Sequence, residues 1–321
     1  MAGAGYSNSA EMAELSMLAQ TAGNMEAALA NEYLTMTDAA YDLKGSLEKL
    51  NKVLDGQSFI AHKSGLSMSD LAEATMLAAS QSAKSCVTIE EVTATVATMM
   101  AVTGESADSV ASAWNTILTK LQQIAAQTKN GAFTDTTPLT EFEKACLSLG
   151  VSLKSVKNGI VELRNPMVIL NDLATAYSSL GTADQRKINL IDAVGDENAG
   201  NQLNGLLENW NLYTKMLAEY SQGSGNAMKE AAKNSSDWES SLNRLSNTWT
   251  DMVHKVINSG DITSGINVLN ELLNVIKNLS DVLGPLATIG IGAGLFANLK
   301  NIGRAKNSRP SHPICRSSYR F

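Results

Sequence analysis

The chain has 321 residues, of which 44% are hydrophobic and only 5% are aromatic, and its formal net charge is −7. This apolar content excludes an intrinsically disordered protein, and because aromatic side chains are scarce, a core of Ala, Leu, Val, Ile and Met favours helices packed on helices. Residues 282–321 carry a net charge of +6, which leaves a net charge of −13 on residues 1–281. Protein grooves that bind nucleic acids are basic, so this acidic part of the chain does not favour such a groove. We therefore predict a mainly α protein of helical hairpins or bundles, without a specific nucleic-acid site.

The first part of the chain, residues 1–64, is predicted to be an N-terminal helical segment. Its helices are expected to break near Gly23, Thr37 and Gly65. A new helix is predicted to begin at Ser67, because serine is a good N-cap residue and apolar positions follow at helical spacing. This helix opens the predicted helical core, residues 65–222.

A helical hairpin of residues 88–103 and 106–127 is predicted next. Thr88 and Glu91 form a capping-box signature, in which the threonine hydroxyl accepts from an unpaired backbone N–H and the glutamate reaches back to the backbone. Gly104 follows the first helix as a stop signal. The second segment has one continuous apolar stripe, which indicates an amphipathic helix.

One small β-hairpin is predicted near residues 151–163. The Asn-Gly pair at 158–159 tolerates the positive φ angles of a type I′ turn and lies between two imperfectly alternating segments. A helix over residues 138–149 should precede it, because the Thr-Pro pair at 137–138 supplies an N-cap residue followed by proline at the first helical position.

Helices are predicted to resume over residues 167–180 and again from Thr182, where Gln185 completes a second capping-box signature. A turn over residues 195–200 should then lead into one helix of about four to six turns, at 3.6 residues per turn. The glycines of the segment 223–225 are expected to end that helix.

The segment 223–281 carries the most regular apolar spacing in the chain. Its spacing alternates between four and three residues, the heptad pattern of helices that pack side by side, at Trp238, Leu242, Leu245, Trp249, Met252 and Val256. We refer to these six residues as the seam. The pattern predicts either an antiparallel helix pair or an oligomeric coiled coil, and the seam is our candidate self-association surface.

Residues 282–299 form an apolar, glycine-rich segment without a charge, at the lower limit of length for crossing a bilayer. The small residues and the basic cluster that follows favour insertion, whereas the Gly-Pro pair at 284–285 opposes it, which leaves a buried or oligomer-facing segment as the alternative. The candidate membrane residues are Leu286, Ile289, Gly290, Ile291, Gly294, Leu295 and Phe296. Residues 300–321 are predicted to be a basic, disordered tail.

No catalytic, cofactor-binding or metal-binding residue is predicted. The histidines are not within metal-ligand spacing of one another, at His62, His254 and His312. Glu141 and Glu143 bracket one residue of a predicted helix, so their carboxylates should point apart into solvent and not form an acid–base pair. The acidic cluster at Asp196 lacks the spacing of a calcium loop and is interpreted as a helix N-terminus.

Several segments of this chain resemble the core region of phage tail tape measure proteins of the lactococcal-phage type, in the minor tail protein family. Those in the first half are KLNKVL at 49–54, SMSDLAEA at 67–74, VTIEEV at 87–92 and ASAWNTIL at 111–118. Those further along are LGVS at 149–152 with NG at 158–159 and LRNP at 163–166, then NGLLEN at 204–209 and GNAMKE at 225–230. The resemblance spans roughly residues 20–300.

The resemblance implies a structural protein that runs inside the growing tail and takes part in tail assembly and tail-length determination. Its implied partners are further copies of itself, tail-tube subunits and tail-assembly chaperones, with the host membrane a late partner. It implies synthesis in the bacterial cytoplasm and a final place in the virion tail. Because the family's proteins are usually much longer, we expect this chain to be a fragment or a truncated form; the alternative function is that of a helical membrane-active or pore-forming protein.

Overall fold

The computed structural model describes residues 9–128, 139–157 and 160–234, and these residues form twelve α-helices and one two-stranded antiparallel sheet. The predicted mainly α fold with one β-hairpin is therefore confirmed. The helices of the first half are α1 (Ser9–Gly23), α2 (Ala27–Tyr41), α3 (Leu47–Ser64), α4 (Met68–Lys84), α5 (Ile89–Thr103) and α6 (Ala107–Thr128). The later elements are α7 (Glu141–Ser148), β1 (Lys154–Lys157), β2 (Ile160–Leu163), α8 (Pro166–Ser178), α9 (Gln185–Ala193), α10 (Glu197–Glu208), α11 (Trp210–Tyr220) and α12 (Asn226–Asn234).

Two of the three helix breaks predicted in the first part of the chain are present in the structure. The predicted breaks at Gly23 and Gly65 are confirmed, and Gly65 has the positive φ that glycine adopts without strain. The predicted break at Thr37 is wrong, because Thr37 is fully buried inside α2 and tertiary packing outweighs its weak helix propensity. The chain turns instead at residues 42–45, where the Asp38 carboxylate accepts the Gly45 N–H at 2.9 Å.

The capping signals before α4 and α5 are confirmed. Ser67 Oγ accepts the Asp70 N–H at 3.3 Å, while Thr88 and Glu91 make both bonds of a capping box, at 3.2 and 2.8 Å. The predicted hairpin of α5 and α6 exists, although α6 packs more extensively against α4 and α10 than against α5. Consequently α5 lies in the interior, in contact with α3, α4, α10 and α11.

The start of α7 differs from the prediction. The helix begins at Glu141, and Thr140 is its N-cap residue, with its hydroxyl accepting the Glu143 N–H at 3.1 Å. A start at 138 is therefore wrong, while the pair at 137–138 lies outside the described residues. A threonine that precedes an acidic first turn is an equally good N-cap residue, so two neighbouring signals competed.

The β-hairpin is shorter than the alternating pattern suggests. Lys154–Lys157 pairs with Ile160–Leu163, but residues 151–153 belong to no strand. The Val151 N–H instead donates to the Cys146 carbonyl at 3.0 Å, as part of the turn that closes α7. Val151 therefore helps to end α7 and does not begin the predicted strand. The predicted turn at 158–159 lies outside the described residues.

Three predictions in the last third of the core are wrong: the capping box at Thr182, the turn over residues 195–200 and the single helix after that turn. α9 begins after Asp184, whose carboxylate accepts the Arg186 N–H at 2.9 Å, and the proposed capping box at Thr182 does not form. The single long helix is divided at Asn209 into α10 and α11, and Gly200 lies inside α10 where it contacts α9 closely. The Asp184 carboxylate, two residues further along the chain than Thr182, caps α9 instead.

One continuous hydrophobic core extends from Met12 in α1 to Ala231 in α12. Its largest fully buried side chains include Trp114, whose indole N–H donates to Ser82 Oγ at 2.8 Å between α6 and α4. Buried polar residues cross the core as well, since Gln57 Nε2 of α3 donates to Thr93 Oγ1 of α5 at 3.0 Å. We refer to the packed helices α1 to α11 as the head.

Candidate assembly site

The predicted self-association and membrane residues lie outside the described residues. The seam (Trp238, Leu242, Leu245, Trp249, Met252 and Val256) and the membrane candidates (Leu286, Ile289, Gly290, Ile291, Gly294, Leu295 and Phe296) follow Asn234, the last residue described. Both assignments stay predictions. The structure does place the helix that leads to them, because α12 packs on α1 and α3 of the head.

The first turn of α12 is capped by a carboxylate from α3. Asp55 Oδ2 accepts the Gly225 N–H at 2.8 Å, and Asp55 Oδ1 accepts the Ala227 N–H at 3.0 Å. Gly225 occupies the N-cap position and has no side chain of its own, so Asp55 takes the role that Ser, Asp or Asn usually fills locally. The positive end of the helix favours the negative charge placed there.

Close backbone approach makes this capping contact possible. A Cβ added to Gly56 would lie 2.5 Å from the Tyr220 ring, and one added to Gly223 would lie 2.6 Å from the Asp55 carbonyl oxygen. The Asn226 amide then donates to Ser58 Oγ at 3.0 Å in the buried interface. We refer to the contacts of Asp55, Gly56 and Ser58 with residues 220–227 as the clasp.

The carboxyl group of the clasp is held in a buried, polar setting. Asp55 is 5% exposed, and burial raises its pKa, although the two N–H groups of Gly225 and Ala227 oppose that shift. Burial, and then the charge of Asp55, raise the pKa of Tyr33, so this tyrosine is neutral. Among the described residues, the Tyr33 hydroxyl and Gln57 Oε1 have no hydrogen-bond partner.

The middle of α12 packs on α1 and α3 through small side chains. Ala227 and Ala231 are buried, which contributes roughly 1–2 kcal/mol for two methyl groups. At the far end, the Asn234 side-chain amide donates to the carbonyls of Thr21 and Ala22 at 3.1 and 3.3 Å. The docking of α12 therefore combines close packing of small side chains on α1 and α3 with polar contacts at its two ends.

Sequence reasoning missed Asp55 because an acidic residue in an amphipathic helix is ordinarily solvated. A signal was nevertheless present, since Gly56 follows it in the middle of a helix where glycine is unfavourable. A glycine there indicates close approach by another element, and the pair Asp55-Gly56 thus marks the place where α12 returns to the head.

The residues considered for chemistry have structural roles in the described part of the chain. The His62 imidazole is about half exposed and lies 3.8 Å from Glu230 of α12. Glu141 is exposed as predicted, but Glu143 is buried and pairs with Lys154 Nζ at 2.6 Å, so its assignment to solvent is wrong. Asp196 accepts the Ala199 N–H at 2.7 Å, which confirms its place at a helix N-terminus.

Burial of Glu143 also affects the neighbouring cysteine. Burial, together with the negative charge of Glu143, raises the pKa of the Cys146 thiol to about 12. A thiol with such a pKa is a poor nucleophile at neutral pH.

The described residues lack a metal-binding cluster and a membrane-spanning helix. Residues 9–128, 139–157 and 160–234 contain no group of three or more His, Cys, Asp or Glu side chains placed to hold a metal ion. Within the same ranges, every helix is too short or too polar to cross a bilayer.

Comparison with known proteins identifies the family. The family model of phage-related minor tail proteins matches residues 1–195 of the 321, which include α1 to α9 and therefore Asp55 of the clasp. No curated protein and no solved structure matches the chain. Since the matched region is more than half of the sequence, this chain belongs to the family of phage-related minor tail proteins.

Proposed function

We propose that this chain is a structural tape measure protein of a phage or prophage tail, or part of one, and not an enzyme. In this proposal it takes part in tail assembly and in setting tail length. The observation that carries the proposal is the family match over residues 1–195, combined with a clasp that fixes the last described helix on the head. A tail protein with such a fixed exit point can present the rest of its chain from a defined surface.

The proposed mechanism assigns separate tasks to the head and to the following segment. The head provides the surface for tail-tube subunits and tail-assembly chaperones, and the seam in residues 238–256 associates with further copies of the chain. The chain is made in the bacterial cytoplasm and becomes part of the virion tail. Membrane association through residues 282–299, the basis of the alternative membrane-active function, is a separate proposal.

A change in chain length tests the length-setting role. We expect an in-frame duplication of residues 235–281, made in the phage or prophage that encodes the chain, to lengthen its tail by roughly 70 Å, because 47 added helical residues rise ~1.5 Å each. Negative-stain electron microscopy of purified particles measures the tail, and mass spectrometry establishes that the longer chain is present. Tails of unchanged length that contain the longer chain would contradict the ruler role.

The matched control for this experiment separates length from sequence. A duplication of the same 47 residues with serine at the six seam positions adds the same number of residues and removes the predicted helix association. We expect this control to yield no uniformly lengthened tails, because a segment that does not associate does not extend as a helix over its full length.

A further inference from the structure

An open groove runs along α6 on the surface of the head. It has a volume of about 400 Å³, and Leu77 of α4 forms one of its walls. The other residues that line it belong to α6 and are Asp108, Ala111, Ser112, Asn115, Thr116, Thr119 and Lys120. Because these positions recur every three or four residues, they form one stripe along the helix.

Small and polar side chains form the floor of the groove. Ala111 is buried, whereas Ser112 and Thr119 are short and exposed. The Asn115 amide donates to the Leu77 carbonyl at 3.2 Å, while its buried Oδ1 accepts no hydrogen bond in the described part of the chain. Side chains of this size allow a second helix to approach closely, and the unpaired oxygen favours an occupant that carries donors.

The two ends of the stripe carry opposite charges. Asp108 is exposed near the start of α6, and Lys120 is half-buried twelve residues further on. Neither forms a salt bridge with another residue that the structure describes. Lys120 Nζ lies beside Gly195, where an added Cβ would be 3.5 Å away, and its long side chain can rotate toward a carboxylate. At ~1.5 Å per residue the two charged residues are about 18 Å apart, which is too far for an ion pair within one chain.

The stripe is self-complementary when two copies of α6 lie antiparallel. Asp108 and Lys120 are equidistant from Trp114 in the sequence. A two-fold axis at the level of Trp114 therefore places Asp108 of each copy against Lys120 of the other. The same axis brings the exposed Ser112 hydroxyl of one copy toward the unpaired Asn115 Oδ1 of the other.

We propose that this groove is a docking surface for a second copy of the chain, in which two α6 helices lie antiparallel and form two symmetric Asp108–Lys120 pairs. The contact uses only residues of the head and is independent of the seam in the proposed function. Eight residues line the groove, compared with the roughly 20–30 residues a side of a stable interface. We therefore expect this dimer to form at high protein concentration and to dissociate on dilution.

Reversal of one charge in each copy tests the antiparallel arrangement. Asp108→Lys leaves lysine at both ends of the stripe, and Lys120→Asp leaves aspartate at both ends, so each variant alone replaces two attractions by two repulsions. We expect each variant to raise the dissociation constant of the dimer about tenfold or more, measured by sedimentation equilibrium over a concentration series. An equimolar mixture of the two variants restores both opposite-charge pairs, so its dissociation constant should lie within about threefold of that of the unmodified chain.

The mixture distinguishes a contact between copies from an effect within one chain. Damage to the fold of either variant persists after mixing, whereas charges that meet across two copies compensate each other. Glu48→Lys is the matched control for Asp108→Lys, because Glu48 is also an exposed acidic residue in the first turn of its helix, and no residue of α3 lines the groove. We expect this control to associate like the unmodified chain.

Two results would overturn the proposal: equal association of the unmodified chain and both variants, or weakened association of the variants that mixing does not restore. The seam is unchanged in all of these proteins, so association through it contributes equally and does not produce the expected pattern. A chain that associates without this pattern leaves the seam of the proposed function in place. A chain that associates at no concentration overturns both the groove and the seam.

Discussion

Gly56 shows how one residue without a side chain positions a distant helix. It lies in the interior of α3, where glycine is usually unfavourable by about 1 kcal/mol relative to alanine. The ring of Tyr220 occupies the space in which a side chain would lie. The local cost of glycine is therefore offset by a contact between residues that are far apart in the sequence.

We expect Gly56→Ala to lower the free energy of unfolding by about 1–3 kcal/mol, the usual range for overpacking, despite the better helix propensity of alanine. The physical reason is the 2.5 Å approach of the new methyl group to the Tyr220 ring. Urea unfolding followed by circular dichroism measures the change. Gly181→Ala is the control, because a Cβ there has no neighbour within 4 Å, and a more stable Gly56→Ala protein would show that Tyr220 moves aside at little cost.

The residue scale also shows where sequence reasoning reaches its limit. Asp196 could be assigned to a helix N-terminus because its partner, the Ala199 N–H, is three residues away. The partners of Asp55 and Glu143, at Gly225 and Lys154, are fixed by tertiary packing, so the glycine beside Asp55 indicates a close approach but not which element approaches. The acidic residue itself does not distinguish a buried cap or ion pair from a solvated side chain.

At the scale of single elements, α5 combines a complete capping box with three buried threonines. Thr88 and Glu91 satisfy backbone groups at its start, and Gly104 ends it in the left-handed region. Thr93, Thr95 and Thr98 are fully buried, and each hydroxyl donates to a carbonyl of the preceding turn. The helix therefore satisfies its own polar groups and can lie in the interior.

We expect Thr88→Ala to lower the free energy of unfolding by about 1 kcal/mol, the typical cost of losing an N-cap hydroxyl. Thr175→Ala is a matched control, because Thr175 is an exposed threonine in the interior of α8 and its replacement should change stability by no more than about 0.5 kcal/mol. Chemical denaturation of both variants measures the two changes in the free energy of unfolding. Equal losses would mean that the capping box does not contribute beyond an ordinary surface threonine.

Elements with a single strong start or stop signal were predicted correctly, and those with competing signals were not. Thr88 has Glu91 three residues on to complete its capping box, Gly104 is the only glycine between α5 and α6, and both predictions are confirmed. At Thr182 a better cap lies two residues further on. The division between α10 and α11 at Asn209 was missed because the apolar spacing continues across it, so periodicity alone does not reveal the break.

At the scale of the whole molecule, the clasp joins the family-matched region to a helix beyond it. Asp55 lies within residues 1–195, whereas α12 lies outside them, and one core extends across both. This joining could not be predicted from the sequence, since helical periodicity indicates which face is buried but not which element covers it. The mainly α class could be predicted because composition and caps act locally.

The seam provides a prediction for the assembled state. We expect Leu245→Asp combined with Trp249→Asp to convert any oligomer of the chain to a monomer, because two carboxylates at heptad core positions cannot be buried without partners. Multi-angle light scattering measures the mass. Asn243→Asp with Asn247→Asp adds the same charge on the opposite face of the heptad as a control, and an unchanged mass in the Leu245 and Trp249 variant would place self-association elsewhere.

The position of α12 also has a mechanical consequence. Because α12 follows α11 directly along the chain and lies on α1 and α3, a pull transmitted through Asn234 acts on α12 and the clasp before it reaches α11. If α12 peels away, residues 221–234 extend by up to roughly 50 Å at ~3.3–3.6 Å per residue before any force loads the core. Undocking of α12 would thus lengthen the chain between α11 and Asn234 while α1 to α11 keep their own packing.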